Sequence, residues 1–215
     1  MDISGDLLRY GKKDNSPAAD RAKIVVRNHV LQAIGEDKAV VLDCYAGEGQ
    51  MFRGIWHRAM DYVGCDKDLF MDDRPAYVAD NRRLLRAIDL GQFNIIDLDA
   101  WGSPWEQFYI IATRRPLAAG EQLGVVMTEG TGLKMNMGGV SKALATLARI
   151  RVQMPGMGAA RDEVIGRALR QIARMMHARI VSRWQAQGKR GSRVGYIGLI
   201  FEGLADVDQP EEEAP

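Results

Sequence analysis

Apolar residues recur along this chain in two different rhythms. Between Pro17 and Ile34, Ala22, Val25, Val26, Val30 and Ile34 fall at helical spacing, with Pro17 after Ser16 as a helix start and Gly35 as its stop. Short unbroken apolar runs come next: AVVLDC (Ala39 to Cys44), DYVGCD (Asp61 to Asp66), PAYVAD (Pro75 to Asp80), FNIIDLD (Phe93 to Asp99) and LGVVMTE (Leu123 to Glu129). Such runs predict strands buried on both faces. The stretch from Gly49 to Ala59, the segment RRLLRAIDL and the residues after Trp105 through Arg115 predict helices between them. Two more helices are expected, from Val140 to Arg151 and from Arg161 to Met176. In the second, Ile165, Ala168, Leu169, Ile172 and Met176 form one apolar face. Toward the C-terminus the pattern turns strand-like again, with ARIVSRWQAQ and RVGYIGLIFE flanking GKRGS, which signals a hairpin.

Buried strands alternating with helices predict an α/β fold, a doubly wound and mostly parallel Rossmann-like sheet with a C-terminal antiparallel hairpin. At 215 residues, with no repeat and no internal linker, a single domain over 1–206 is expected, with 1–16 as an N-terminal arm and 207–215 as an acidic tail. The formal charge of +1 excludes a uniformly basic nucleic-acid binder but leaves room for a basic face balanced by the acidic DVDQPEEEAP. Cys44 and Cys65 each sit inside an apolar run, so a reduced, cytoplasmic protein is expected. His29, His57 and His177 lack ligand spacing, and no metal site is expected. No apolar run approaches the roughly 20 residues of a membrane helix, and no signal-peptide core is present, so neither membrane partner nor export is expected.

The string LDCYAGEG carries the most specific chemistry. A strand ending in Asp43 runs through Tyr45 to Gly47 and Gly49 and directly into a helix. Glycines there let the backbone turn sharply and approach a ligand. A dinucleotide loop would place a third glycine where this chain has Phe52. An acid followed after three residues by Gly-x-Gly fits S-adenosylmethionine (SAM), which has no phosphate. Asp66 and Lys67 close the second strand, close to the ~20-residue offset at which such folds place an acid on ribose hydroxyls. Asp80 and Asn81 close the third, placed to accept from an adenine amino group.

The fourth strand ends in DLDAWGSPW. In this string Asp97, Asp99, Trp101, Gly102, Ser103 and Pro104 resemble the D-x-D-P-F-G-S-P motif of the tRNA guanine N2-dimethyltransferases, with Trp for Phe and Ala100 for the motif's proline. The resemblance runs in motifs from Asn15 to Glu129 and implies a class I SAM-dependent methyltransferase. It also implies a loose match of Asn15, Pro17 and Arg21 to a segment whose arginine binds the SAM carboxylate. An exocyclic amine is a poor nucleophile because its lone pair is delocalised into the ring. A carboxylate accepting its N–H bonds favours the nucleophilic form. Asp99 is expected in that role and Trp101 as a stacking partner for the base, with Asp97 the supporting acid or the acting one.

Basic residues mark the target side. Arg167, Arg170 and Arg174 recur at helical spacing opposite the apolar face, Lys189, Arg190 and Arg193 lie in the hairpin turn, and Lys12 and Lys13 in the arm. The Gly- and Met-rich TEGTGLKMNMGG and MPGMGAARD are expected to serve as lids or substrate loops. The sequence thus predicts a methyl transfer to a nucleic-acid base, RNA guanine N2 first and DNA adenine N6 or cytosine N4 after it. A non-catalytic SAM-fold binding module or partner subunit is the alternative, favoured by Ala100.

Overall fold

The computed structural model describes residues 16–68, 72–100, 102–188 and 194–205. Trp101, Lys189, Arg190, Arg193, Asn15, the arm residues Lys12 and Lys13 and the acidic tail lie outside them.

The first helix, α1 (Pro17–Ile34), begins and ends as its sequence dictates. The Ser16 side chain accepts from the Ala19 amide, Pro17 occupies the first turn, and Gly35 ends the helix at φ 97°. The strands β1 (Val40–Asp43), β2 (Asp61–Asp66), β3 (Ala76–Val78), β4 (Ile95–Leu98), β5 (Gln122–Glu129), β6 (Ala178–Ala186) and β7 (Gly195–Gly203) form one sheet. Their spatial order is β3-β2-β1-β4-β5-β7-β6. Strands β1 to β5 pair in parallel, and β7 runs antiparallel to both β5 and β6. The chain winds outward from β1 to β3 and then crosses to β4, so the strand order reverses between β1 and β4. Open α/β sheets bind ligands at that reversal, outside the carboxyl ends of the strands.

Strand residues divide by parity between two cores. Val41, Ile95 and Val126 face Ala19, Val26 and Val30 of α1 together with Trp56 and Tyr62. Their neighbours Leu42, Ile96 and Val125 face the opposite layer, where α3 (Asn81–Ala87), α4 (Trp105–Arg114), α6 (Lys142–Ala148) and α7 (Arg161–Met175) supply Leu85, Phe108, Leu144 and Ile172. Each such side chain contributes about 1.5–3 kcal/mol when fully buried.

Four local expectations change. The helix expected from Gly49 to Ala59 breaks into α2 (Gln50–Gly54) and a single 3₁₀ turn at Trp56–Arg58. The break turns Trp56 inward, where its indole N–H meets Asp97. The helix expected from Val140 to Arg151 is confined to α6, because Val140 instead donates its amide to the Val152 carbonyl. The Met-rich stretch holds a helix of its own, α5 (Gly132–Asn136), and Met135 and Met157 are core residues. On α1, Val25 is 50% exposed, whereas Arg27, two residues on, is fully buried.

Candidate functional site

The glycine turn after β1 is stitched to the end of β2. Gly47, at φ 43°, donates its amide to Asp66 Oδ2 at 2.8 Å, while Asp66 Oδ1 accepts from the Lys67 amide at 2.7 Å. From behind, the Arg74 guanidinium donates to the Ala46 and Gly47 carbonyls at 3.2 and 2.9 Å, and Asp72 holds it there at 2.7 Å. Gly49 starts α2 at φ 79°, and a Cβ on it would lie 2.6 Å from the Arg74 Cζ. Glycine is the residue of lowest cost there, since any other adopts a strained φ and displaces the Arg74 guanidinium.

Beside this turn lies a cavity of about 580 Å³, whose lining includes Tyr45, Lys67, Asp80, Asn81, Ser103 and Lys142. Asp80 caps α3 by accepting from the Arg82 amide and pairs with the Arg82 guanidinium at 2.7 Å, which holds its carboxyl well below the usual range. Asn81 is fixed by its bonds to the Cys44 carbonyl at 2.9 Å and the Gln107 side chain at 3.1 Å. Burial pushes the Tyr45 phenol up. Ser103 also lines the cavity, and among the described residues its buried hydroxyl has no hydrogen-bond partner.

Asp43 and Asp97 face one another in register across β1 and β4. Asp97 is fully buried. It accepts from Arg27 Nε at 2.7 Å and Nη2 at 2.8 Å, and from the Trp56 indole at 2.7 Å. Asp43, also buried, accepts from the Tyr45 amide and the Tyr62 hydroxyl, both at 3.1 Å. Asp99, two residues beyond Asp97, sits at the rim with 11% of its side chain exposed. It meets Lys23 Nζ at 3.0 Å, Arg27 Nη2 at 3.3 Å and the Thr128 hydroxyl.

Two carboxylates therefore share two cations, with the Asp43 carboxyl beside them. Burial, and then the neighbouring Asp97, pushes Asp43 far above the carboxylate range. Burial also raises Asp97, against the pull of Arg27. Burial opposes charge on Arg27, but Asp97 and Asp99 outweigh it and hold the guanidinium above its ordinary value. Burial works against Asp99 too, yet Arg27 and Lys23 prevail and hold it below the carboxylate range. Of the two acids the motif left open, Asp97 has no surface with which to meet a ligand, and Asp99 has one.

The structure brings Tyr45, Lys67, Asp80 and Asn81 together around the cavity, with Gly47 and Asp66 at the adjoining turn and Asp43 sealed below. It leaves Arg21 exposed on α1; the cations of that helix which reach the strand ends are Lys23 and Arg27. Their spacing of four on a helix, one turn from buried Val26 and Val30, is the signal the sequence held for them. Glu129 at the end of β5 is also new. It is fully buried, accepts from the Thr131 amide at 3.0 Å and pairs with Arg161 at 2.6 Å. Next to it the Gly130 amide donates to the Gly102 carbonyl at 2.7 Å, tying the loop after β4 to the end of β5. Arg167, Arg170 and Arg174 lie exposed on the outer face of α7 and do not line the cavity beside the glycine turn. Among the described residues no cluster of His, Cys, Asp and Glu forms a metal site, and no helix is long and apolar enough to cross a membrane.

The strand order, the reversed β7 and the glycine turn at the reversal define a Rossmann-like methyltransferase fold. Among solved structures, the chain is similar to Trm1 from Pyrococcus horikoshii, solved with S-adenosyl-L-methionine, at a TM-score of 0.55 and 18% identity. That match covers 91% of this chain but only 59% of that one. A protein described as a hemolysin from Streptococcus thermophilus matches at 0.54 and 13% identity, over 96% of this chain and 72% of that one. The N-methyltransferase NodS from Bradyrhizobium japonicum WM9 matches at 0.50 and 13% identity, over 90% of this chain and 100% of that one. These likenesses are of fold. No family model and no curated protein matches the chain.

Proposed function

We propose that the chain is a SAM-dependent methyltransferase acting on an exocyclic amino group of a nucleic-acid base, guanine N2 of RNA before the others. One observation carries the reading: at the end of β4, Asp99 presents a carboxylate kept charged by Arg27 and Lys23 at the rim, with the glycine turn across the sheet reversal. The motif resemblance supports the same acid, and the fold shared with Trm1, solved with S-adenosyl-L-methionine, supports the class.

The residues fit the cofactor. The cavity falls within the 300–1,000 Å³ usual for small-molecule sites, and the Ser103 hydroxyl is an unsatisfied polar group on its wall. Tyr45, Gly47, Gly49, Asp66, Lys67, Asp80, Asn81 and Ser103 would hold SAM, with Asp43 beneath them fixing the turn. SAM, when bound, supplies an electrophilic methyl group. Asp99 accepts the N–H bonds of the target amine and orients its lone pair. A carboxylate held below its ordinary pKa is a weak base, so Asp99 positions the amine and steadies its developing positive charge instead of removing a proton beforehand. Trp101, by its place in the motif, is assigned to stack on the base. The amine must take the place of Lys23 on Asp99.

That requirement favours one second reading. With Lys23, Arg27 and Thr128 already on Asp99, the chain could bind SAM without turning it over, as a binding module. Titration calorimetry with SAM and transfer of a labelled methyl group to RNA and DNA decide between them. Wild type is expected to bind and transfer, Asp66→Ala to lose affinity, and Asp99→Ala to keep affinity while transfer falls about 100-fold or more. Binding without transfer to either polymer selects the module. No binding at millimolar SAM sinks both.

A further inference from the structure

The last turn of α6 and the outer face of α7 enclose a second cleft, of about 160 Å³, lined by Leu147, Ala148, Arg149, Arg167, Arg170, Gln171 and Arg174. Four of its lining residues are arginines. The one carboxylate that pairs with them is Glu163, at 2.8 Å from Arg167 and 3.5 Å from Arg170. Among the described residues, Arg149 and Arg174 have no carboxylate within ion-pair distance. The floor is apolar, formed by buried Leu147 and Ala148.

Arg149 sits there against the preference of its backbone. It closes α6 in the left-handed conformation, φ 54° and ψ 49°, where glycine is the residue of lowest cost. An arginine held at that position lines the cleft at the expense of a better helix cap. Arginine's planar donor fork matches phosphate oxygens in pairs, which a lysine ammonium does not.

The cleft also has a fixed relation to the candidate active site. Ser141 and Lys142, at the start of α6, line the cofactor-sized cavity, and Leu147 to Arg149, at its end, line the arginine cleft. At 1.5 Å per residue, α6 separates the two by about 10 Å. A single small anion fills one of these places. A polymer carrying a phosphate at every unit reaches both.

We propose that this cleft is a phosphate-binding subsite that grips the sugar-phosphate backbone of an RNA whose target base enters the site at the strand ends; the RNA assignment rests on the function proposed above. Arg149 and Arg174 make its charged centre, and Arg167 and Arg170 join it by exchanging Glu163 for phosphate. Contacts of this kind set affinity and register without reading sequence.

The test uses the full chain and a labelled RNA hairpin, with anisotropy measured across a salt series. Arg149→Gly removes a charge while leaving the left-handed turn to the residue that prefers it, so folding is preserved. Combined with Arg174→Gln, it is expected to weaken RNA binding about tenfold or more and to make the log–log salt dependence shallower by about two. Arg183→Gln, exposed on β6, serves as the control and leaves RNA binding unchanged. An unchanged RNA affinity in the double variant overturns the proposal. Wild-type chain that binds phosphatidylserine vesicles through these arginines and ignores RNA overturns it equally. SAM titration of the same proteins separates the two readings. Cleft-dependent RNA binding in a chain that takes no SAM sinks the enzyme and keeps the subsite. SAM binding with cleft-independent RNA affinity does the reverse.

Discussion

Arg27 is a side chain whose meaning lies wholly in its surroundings. In the sequence it is one more cation on an amphipathic helix, and the apolar pattern puts Val25 inside instead. In the fold it is fully buried and forked onto Asp97, with Asp99 within reach of the same guanidinium. A buried pair of this sort is a weak source of net stability, but breaking it leaves a carboxylate alone in the core. Arg27→Gln is therefore expected to lower unfolding free energy by about 3–5 kcal/mol in urea melts. Arg27→Lys should recover little of it, because an ammonium cannot make the two parallel bonds. A loss near that of a surface pair, under about 1 kcal/mol, would show that water already reaches Asp97.

At the level of elements, much of the architecture was legible because local chemistry and tertiary packing agree. The limits of α1 follow from Ser16, Pro17 and Gly35, β2 spans the run DYVGCD, and all five apolar positions expected on α7 are buried. Where the two disagree, packing prevails. The helix after Gly49 stops at Gly54 because Trp56 is drawn under the sheet edge to Asp97, a partner 41 residues away that no local pattern reveals. The candidate site divides in the same way. Strand-end acids and glycines stand out in sequence, whereas the cations that tune them come from a helix far upstream. The tie between the β4 and β5 ends was equally hidden. A Cβ on Gly130 would lie 2.4 Å from the Gly102 carbonyl oxygen, so Gly130→Ala must push the two loops apart. Thermal melts should register about 1–3 kcal/mol of destabilisation. On the function proposed above, labelled methyl transfer should fall further than SAM affinity does, since the loop that moves follows Asp99.

The whole molecule is nearly neutral, yet its pH response is set by the buried cluster. Burial and Asp97 raise Asp43 in the folded state, so the folded chain holds a proton that the unfolded chain has already released. Stability then falls as pH rises from the ordinary carboxylate range toward that raised value. Asp99 acts with the opposite sign: its lowered pKa lends stability above the ordinary carboxylate range, lost only as pH drops through it. Melting temperature is thus expected to decline between about pH 5 and about pH 8, and Asp43→Asn, which keeps a partner for the Tyr62 hydroxyl, should flatten that decline. An unchanged slope in Asp43→Asn would assign the titration to another group.

The position of β7 has a consequence for how the chain is made. β6 leaves the ribosome first, but its neighbour in the sheet is β7, which also covers the outer side of β5. Until Gly195–Gly203 pairs, β5 keeps an open outer edge and β6 has no partner strand. Such edges are what chaperones shield and what aggregates recruit. The sheet is completed one strand in from its edge, by the last strand in the sequence.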